Sequence, residues 1–167
     1  MHDAATRPAT AEDIPTLLKL RERMLVELGS DDQERLAELA TRSQAWLERA
    51  FAQGGAVGWI VERDGRVVGG LTMTLLELLP QYRSPNGRVA NLLGLFVEPE
   101  ERGAGLATKL VSTAVSYARE WGADVVVLHA ANKARPIYER LGFAATKEMR
   151  LQFSEHDAEN SPGGCCV

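Results

Sequence analysis

Apolar side chains recur at Ile14, Leu17, Leu18, Met24, Leu25 and Leu28, the spacing that lays one apolar stripe along an α-helix. Arg21 interrupts that stripe, and Gly29-Ser30 ends it. Thr10, followed three residues on by Asp13, predicts a capping box with Asp in place of the usual Glu or Gln. A second helix is predicted from Asp31 or Asp32, with Leu36, Leu39, Ala40, Leu47 and Phe51 inward and Gly54-Gly55 as its stop. Residues 4–9 read as an edge strand, where Pro8 is tolerated.

The period then changes. Residues 57–62 and 66–75 flank Asp64-Gly65, a two-residue hairpin signal. A polar loop, 80–87, leads into the apolar run 89–97, which reads as a central strand buried on both faces. Gly94 within it predicts a bulge or a close backbone approach. A helix over 105–121 follows, with Leu106, Leu110, Val111, Ala114, Ala118 and Trp121 inward, then a short buried strand, 125–129. Residues 134–141 read as a helix with Pro136 in its first turn and Gly142 as its stop, and 146–153 as a last alternating strand. The order β-α-α-β-β-β-α-β-α-β mixes hairpins with βαβ units, so a single-domain α/β (α+β) fold with a mixed sheet flanked by helices is expected over residues 1–153. Residues 154–167 read as a flexible tail.

At 167 residues, 45% hydrophobic and 25% charged, the chain has the size and composition of one soluble globular domain. Nineteen basic and 23 acidic residues give a net charge of −4, which argues against nonspecific nucleic-acid binding. No apolar run reaches the roughly 18–20 residues of a membrane span. The first ten residues lack a charged segment followed by an apolar one, so no secretory signal is expected. Cys165 and Cys166 are adjacent and have no third cysteine, so neither a disulfide framework nor a zinc site is expected. A reducing, cytoplasmic setting is the simplest expectation.

Chemistry concentrates where the run 89–97 ends. Pro99 breaks the strand, and Arg102-Gly103-Ala104-Gly105-Leu106-Ala107 opens the next helix. A helix start has unpaired N–H groups and a partial positive charge, and two glycines let backbone come close to a phosphate. An ordinary β–α turn has the same look. The Gly-Lys-Ser/Thr ending of a P-loop is missing, and the Gly103-x-Gly105-x-Ala107 spacing is not the usual dinucleotide fingerprint.

A second segment, Asn132-Lys133-Ala134-Arg135-Pro136-Ile137-Tyr138-Glu139-Arg140-Leu141-Gly142-Phe143, follows the next strand. With the turn 102–107 at this separation, the chain resembles the GNAT superfamily of acetyl-CoA-dependent N-acetyltransferases. The turn matches that family's Arg/Gln-x-x-Gly-x-Gly/Ala signature with Ala107 in the last place, and the second segment its Asn…Ala…Tyr-Glu-Arg-Leu-Gly-Phe stretch. The resemblance implies a mostly antiparallel sheet and acetyl-CoA as cosubstrate. It implies that Leu95, Phe96 and Val97 run along the pantetheine arm, with the Val97 N–H polarising the thioester carbonyl, an oxyanion-hole role worth about 3–4 kcal/mol when preformed. Arg102, Gly103, Ala104, Gly105, Leu106 and Ala107 would hold the pyrophosphate, and Asn132 the arm. Lys133 or Arg135 would meet the 3′-phosphate or simply be a solvated helix start. Tyr138 would protonate the leaving thiolate as general acid, or serve as a core aromatic.

The attacking amine must lose a proton, and Glu98, Glu77 and His129, each at a strand end, are the candidate bases. Acceptor choice in the family falls on the segments that correspond to 29–35 and 79–88. Asp31, Asp32 and Glu34 in the first, and Glu77 just before the second, would favour a cationic amine, or would be ordinary first-turn and strand-end acids. The expected activity is acetylation of a primary amine on a small molecule. The alternatives are a protein or peptide acceptor, a non-catalytic acetyl-CoA sensor, or a nucleotide-phosphate-binding regulator. The last strand and the hairpin leave an edge that could pair across a homodimer.

Overall fold

Asp64 and Gly65 both adopt left-handed backbone, φ +52° and +73°, the pairing that lets a two-residue turn follow the twist of its strands. They join β2 (Ala56–Arg63) to β3 (Arg66–Glu77) in the computed structural model, which describes residues 4–151 and 153. With β1 (Ala5–Pro8), β4 (Arg88–Val97) and β5 (Val125–Leu128) they form a five-stranded sheet in the order β1-β2-β3-β4-β5. Every neighbouring pair is antiparallel except β4–β5, which is parallel. The chain divides into two compact units, one up to Leu128 and one from His129. The first holds the sheet with α1 (Ile14–Glu27), α2 (Gln33–Ala52) and α3 (Leu106–Trp121), and the second holds α4 (Arg135–Arg140). Among the described residues, no helix is long and apolar enough to cross a membrane.

The helices cover both faces of the sheet because neighbouring strand residues point to opposite sides. A Cβ at Gly58 would meet Leu17 of α1 at 3.0 Å, while Trp59 packs edge-on against Tyr117 of α3. Ile60, Val61, Val68, Met73, Leu110, Val111 and Ala114 are fully enclosed between them. α3 stops at Gly122, whose φ of +85° is readily accessible to glycine.

The predicted capping box forms: Thr10 N–H donates to Asp13 Oδ2 at 2.8 Å. Arg7 of β1 joins the same carboxylate at 2.8 Å and Glu62 of β2 at 2.9 Å. Arg7's hydrogen bonds, opposed by burial and aided by Thr10, lower the Asp13 carboxyl from its ordinary 3.8 to about 2. The folded value lies below the unfolded one. The stabilisation is therefore complete above the ordinary value and is lost as pH falls from about 4 towards 2. Carboxyl ¹³C titration should give Asp13 a midpoint near 2; a midpoint near 4 would show that the tie to Arg7 is absent in solution.

Gly69 allows β3 and β4 to approach closely. A Cβ there would lie 2.9 Å from the Phe96 carbonyl oxygen and 3.2 Å from Val97 Cγ2, and the first of these neighbours is backbone that cannot rotate away. Gly69→Ala is expected to destabilise the fold by about 1–3 kcal/mol, measured by denaturant melting. An unchanged midpoint would show that β4 relaxes freely at this point.

Three expectations are corrected. Residues 146–151 and 153 form no strand, and Met149, Leu151 and Phe153 are exposed at 95%, 78% and 91%. An alternating apolar run becomes a strand only against a partner edge, and the unit from His129 contains no other strand among its described residues. β5 ends at Leu128 and is not buried: Val125 is 43% exposed, as befits an edge strand rather than an interior one. On α2, Leu36 and Leu47 are buried, but Leu39 is 37% exposed and Ala50 takes an inward place. The tail, 154–167, with both cysteines, lies outside the described residues.

Candidate functional site

The turn before α3 is built by two left-handed glycines, Gly103 at φ +83° and Gly105 at φ +77°. Gly105 is the residue at which the helix starts, and no side chain caps its first N–H groups. A Cβ at either glycine would meet nothing within 4 Å, so the backbone there borders open space rather than packed core. Gly103, Ala104 and Gly105 are exposed, whereas Leu106 is buried and anchors the first turn. Exposed donors at a helix N-terminus are a natural anion cradle.

Strand β4 enters this turn in a defined orientation. Glu98 N–H donates to the Val68 carbonyl at 2.9 Å, which makes Val68 and Glu98 a hydrogen-bonded pair. The adjacent pair, Gly69 and Val97, is then non-hydrogen-bonded, and Val97's N–H and C=O point away from β3. β5 pairs with β4 only from Val89 to Leu92. Val97's amide therefore faces an edge that no strand covers among the described residues. The predicted irregularity at Gly94 is present: Gly94 has φ +64°, and two residues of β4, Gly94 and Leu95, oppose the single Leu71 of β3. Leu95 is half-buried and Phe96 buried.

The Arg102 side chain has a different setting from its backbone. Its guanidinium forms a bidentate pair with Glu27 of α1 at 2.9 and 2.7 Å, donates through Nε to the Val97 carbonyl at 2.9 Å, and covers one side of the Phe96 ring. The Glu27 hydrogen bonds raise its pKa, with burial opposing. Arg23 lies over the same ring and pairs with Glu98. Two ion pairs thus tie the last turns of α1 to the end of β4 and the glycine turn. Sequence reasoning missed Arg23 and Glu27. Their spacing of four on one helix face was the only available signal, and it is common on solvated helices.

Glu77 is exposed and pairs with Arg88 at 3.5 Å. Asp32 caps α2 by accepting from Arg35 N–H at 3.0 Å, and Asp31 and Glu34 are exposed. The loop before β4 is organised by Asp124, which accepts from Ser84 Oγ, Asn86 N–H, Asn86 Nδ2 and Arg88 N–H at 2.9–3.2 Å. Burial pushes this carboxyl up, and the four donors together outweigh that and hold it below its ordinary value.

In the unit from His129, Tyr138 of α4 is 8% exposed and packs edge-to-face on Phe143 at 5.8 Å. Asn132, Lys133 and Arg135 are exposed around the start of α4, and Arg135 pairs with Glu139 at 2.8 Å. His129 is exposed, its Nε2 against Arg150.

A helix-flanked mixed sheet with a glycine turn opening a helix beside an uncovered strand edge defines an α/β domain suited to a phosphate-bearing ligand. The chain belongs to the acetyltransferase (GNAT) family, whose model matches residues 17–143. It is 34% identical over 88 residues to a glucosamine 6-phosphate N-acetyltransferase of Trypanosoma brucei brucei, covering 52% of this chain and 58% of that protein. It is 29% identical over 140 residues to the uncharacterized N-acetyltransferase YjgM of Escherichia coli, covering 82% and 80%. A GCN5-related N-acetyltransferase from Ralstonia eutropha superposes with a TM-score of 0.84 at 29% identity, over 90% of this chain and 99% of that one. A predicted acetyltransferase with acetyl-CoA from Clostridium acetobutylicum shares the fold with a TM-score of 0.84 at 24% identity, over 95% and 100%.

Proposed function

We propose that this chain transfers the acetyl group of acetyl-CoA to a primary amine of a small molecule, by direct attack in a ternary complex. One observation carries the reading. The uncapped, glycine-turned start of α3 adjoins the end of β4, where the Val97 N–H faces an uncovered edge. Family membership and the acetyl-CoA present in the Clostridium protein of the same fold support it.

Acetyl-CoA, when bound, supplies an acetyl group activated as a thioester. The backbone of 102–107 receives the pyrophosphate: Gly103, Ala104 and Gly105 are exposed, and the space where side chains would project from the two glycines is open. Arg102 contributes chiefly by holding the turn against α1, since its guanidinium is engaged with Glu27 and Val97. Leu95 and Val97 offer backbone groups to the arm, and the Phe96 ring carries the guanidinium groups of Arg23 and Arg102. Asn132 also holds the arm.

The Val97 N–H donates to the carbonyl oxygen as negative charge builds there. A bond forms from the amine nitrogen to the carbonyl carbon, and the carbon–sulfur bond breaks. Tyr138 gives its phenolic proton to the departing thiolate. The surplus amine proton passes to Glu98, directly or through water, with Arg23 holding that carboxylate in place.

The relative's glucosamine 6-phosphate is a small amine, which favours a small-molecule acceptor over a protein. Thiol release from acetyl-CoA, measured against amino sugars, amino acids, polyamines, aminoglycosides and peptides, tests the reading. Acetylation of a small amine is the expected result. Turnover confined to peptides would replace the acceptor class, and firm acetyl-CoA binding without release would indicate a sensor.

A further inference from the structure

Arg21 lies four residues from both Leu17 and Leu25, which are buried at 4% and 7% exposure, so it sits on the inward face of α1. That is the position at which the apolar stripe breaks. The side chain is half-buried, and its Nε is enclosed without a hydrogen-bond acceptor among the described residues. Glu22, next in sequence, is exposed and forms no ion pair with it. Its neighbours differ: Arg23 has Glu98 and Arg102 has Glu27. Burial lowers the pKa of the Arg21 guanidinium, and no charged partner among the described residues offsets that effect. A desolvated guanidinium without an anion is a costly arrangement in a stable fold.

The stem of Arg21 lies against the irregularity in β4. A Cβ built on Gly94 would stand 3.8 Å from both Cβ and Cγ of Arg21. At the strand rise of about 3.3 Å per residue, Gly94 is roughly 10 Å along β4 from Val97. Arg21 thus meets β4, through its stem, within a small molecule's length of the amide proposed to face the acetyl carbonyl. Its planar fork matches the oxygens of a carboxylate or phosphoryl group.

We infer that Arg21 determines acceptor specificity by binding an anionic oxygen group, carboxylate or phosphoryl, carried on the amine that is acetylated. This rests on the N-acetyltransferase reading above and narrows it to small amines bearing a negative charge. The acidic residues of 29–35 and 77 do not oppose it: Asp32 is engaged as a cap, Glu77 with Arg88, and Asp31 and Glu34 are solvated.

The test compares matched acceptors on the full chain: glucosamine 6-phosphate with glucosamine, an α-amino acid with its amide, and spermidine as a cation. The wild type should use one anion-bearing member at least about tenfold better in kcat/KM than its uncharged counterpart, the scale of one charge-assisted contact. Whichever pair shows the preference identifies the oxyanion as phosphoryl or carboxylate. Arg21→Gln should erase the preference, raise KM more than it lowers kcat, and leave the calorimetric affinity for acetyl-CoA unchanged. Arg21→Lys should restore part of it. Equal or better use of uncharged or cationic acceptors by the wild type overturns the inference without any variant, as does a preference that persists in Arg21→Gln. Acetyl-CoA binding with spermidine alone acetylated overturns the inference and keeps the enzyme. Absence of acetyl-CoA binding overturns the enzyme reading itself, and the inference with it.

Discussion

Tyr138→Phe is expected to lower turnover on the order of 10²-fold or more, the usual weight of a positioned general acid, while acetyl-CoA affinity stays near that of the wild type. The substitution is selective because of where the ring sits. Tyr138 is buried on α4 with its ring edge-to-face on Phe143, and phenylalanine keeps that ring contact and removes only the hydroxyl. A fall in kcat with an intact melting transition therefore reports chemistry and not unfolding. The loss should be largest for acceptors whose amine is already neutral at the assay pH, since thiolate departure then governs the rate. Turnover unchanged in Tyr138→Phe would remove the acid role and leave family membership untouched.

The second large effect is at Gly105. Gly105→Val is expected to weaken acetyl-CoA binding by roughly tenfold or more, because left-handed backbone costs a β-branched residue more than the about 1–2 kcal/mol it costs others. Gly105 has φ +77°, and a Cβ there meets nothing within 4 Å, so strain and not a clash drives the effect. α3 itself should persist, since Leu110, Val111, Ala114 and Ala118 bury its inner face completely. The strain is relieved locally by turning the first amides of α3 away from the cradle. Gly105→Ala, with the same open space and less strain, should fall between the two. Wild-type affinity in Gly105→Val, measured by titration calorimetry, would show that the turn does not hold the pyrophosphate.

Local rules carried most of the element order. The hairpin at Asp64-Gly65, the capping box of Thr10 and Asp13 and the end of the third long helix at Trp121 depend on residues close in sequence, and each forms where the pattern places it. The glycine turn was legible for the same reason, since Gly103 and Gly105 take positive φ within a few residues of each other. What escaped depends on distant partners. The Arg102 guanidinium resembles a phosphate ligand in sequence, yet Glu27, 75 positions away, takes it. Glu98 and Arg23 are likewise 75 positions apart. The alternation of Met149, Leu151 and Phe153 has the period of a strand but no partner edge among the described residues of its unit. Asp31, Asp32 and Glu34 read equally as a site for a cation or as a helix start, and only the Asp32 bond to Arg35 N–H distinguishes the cap. Arg21 was visible as a break in a stripe, but that its Nε is enclosed without a partner among the described residues could be read only from the packed helix.

Calorimetric titration of acetyl-CoA into the full chain, with ATP and NAD as comparison ligands and Gly105→Val alongside, tests the central claim most directly. One acetyl-CoA bound per chain, no comparable binding of ATP or NAD, and a marked loss in Gly105→Val is the predicted result. No binding of acetyl-CoA, or equal binding of all three ligands by both proteins, would contradict the account.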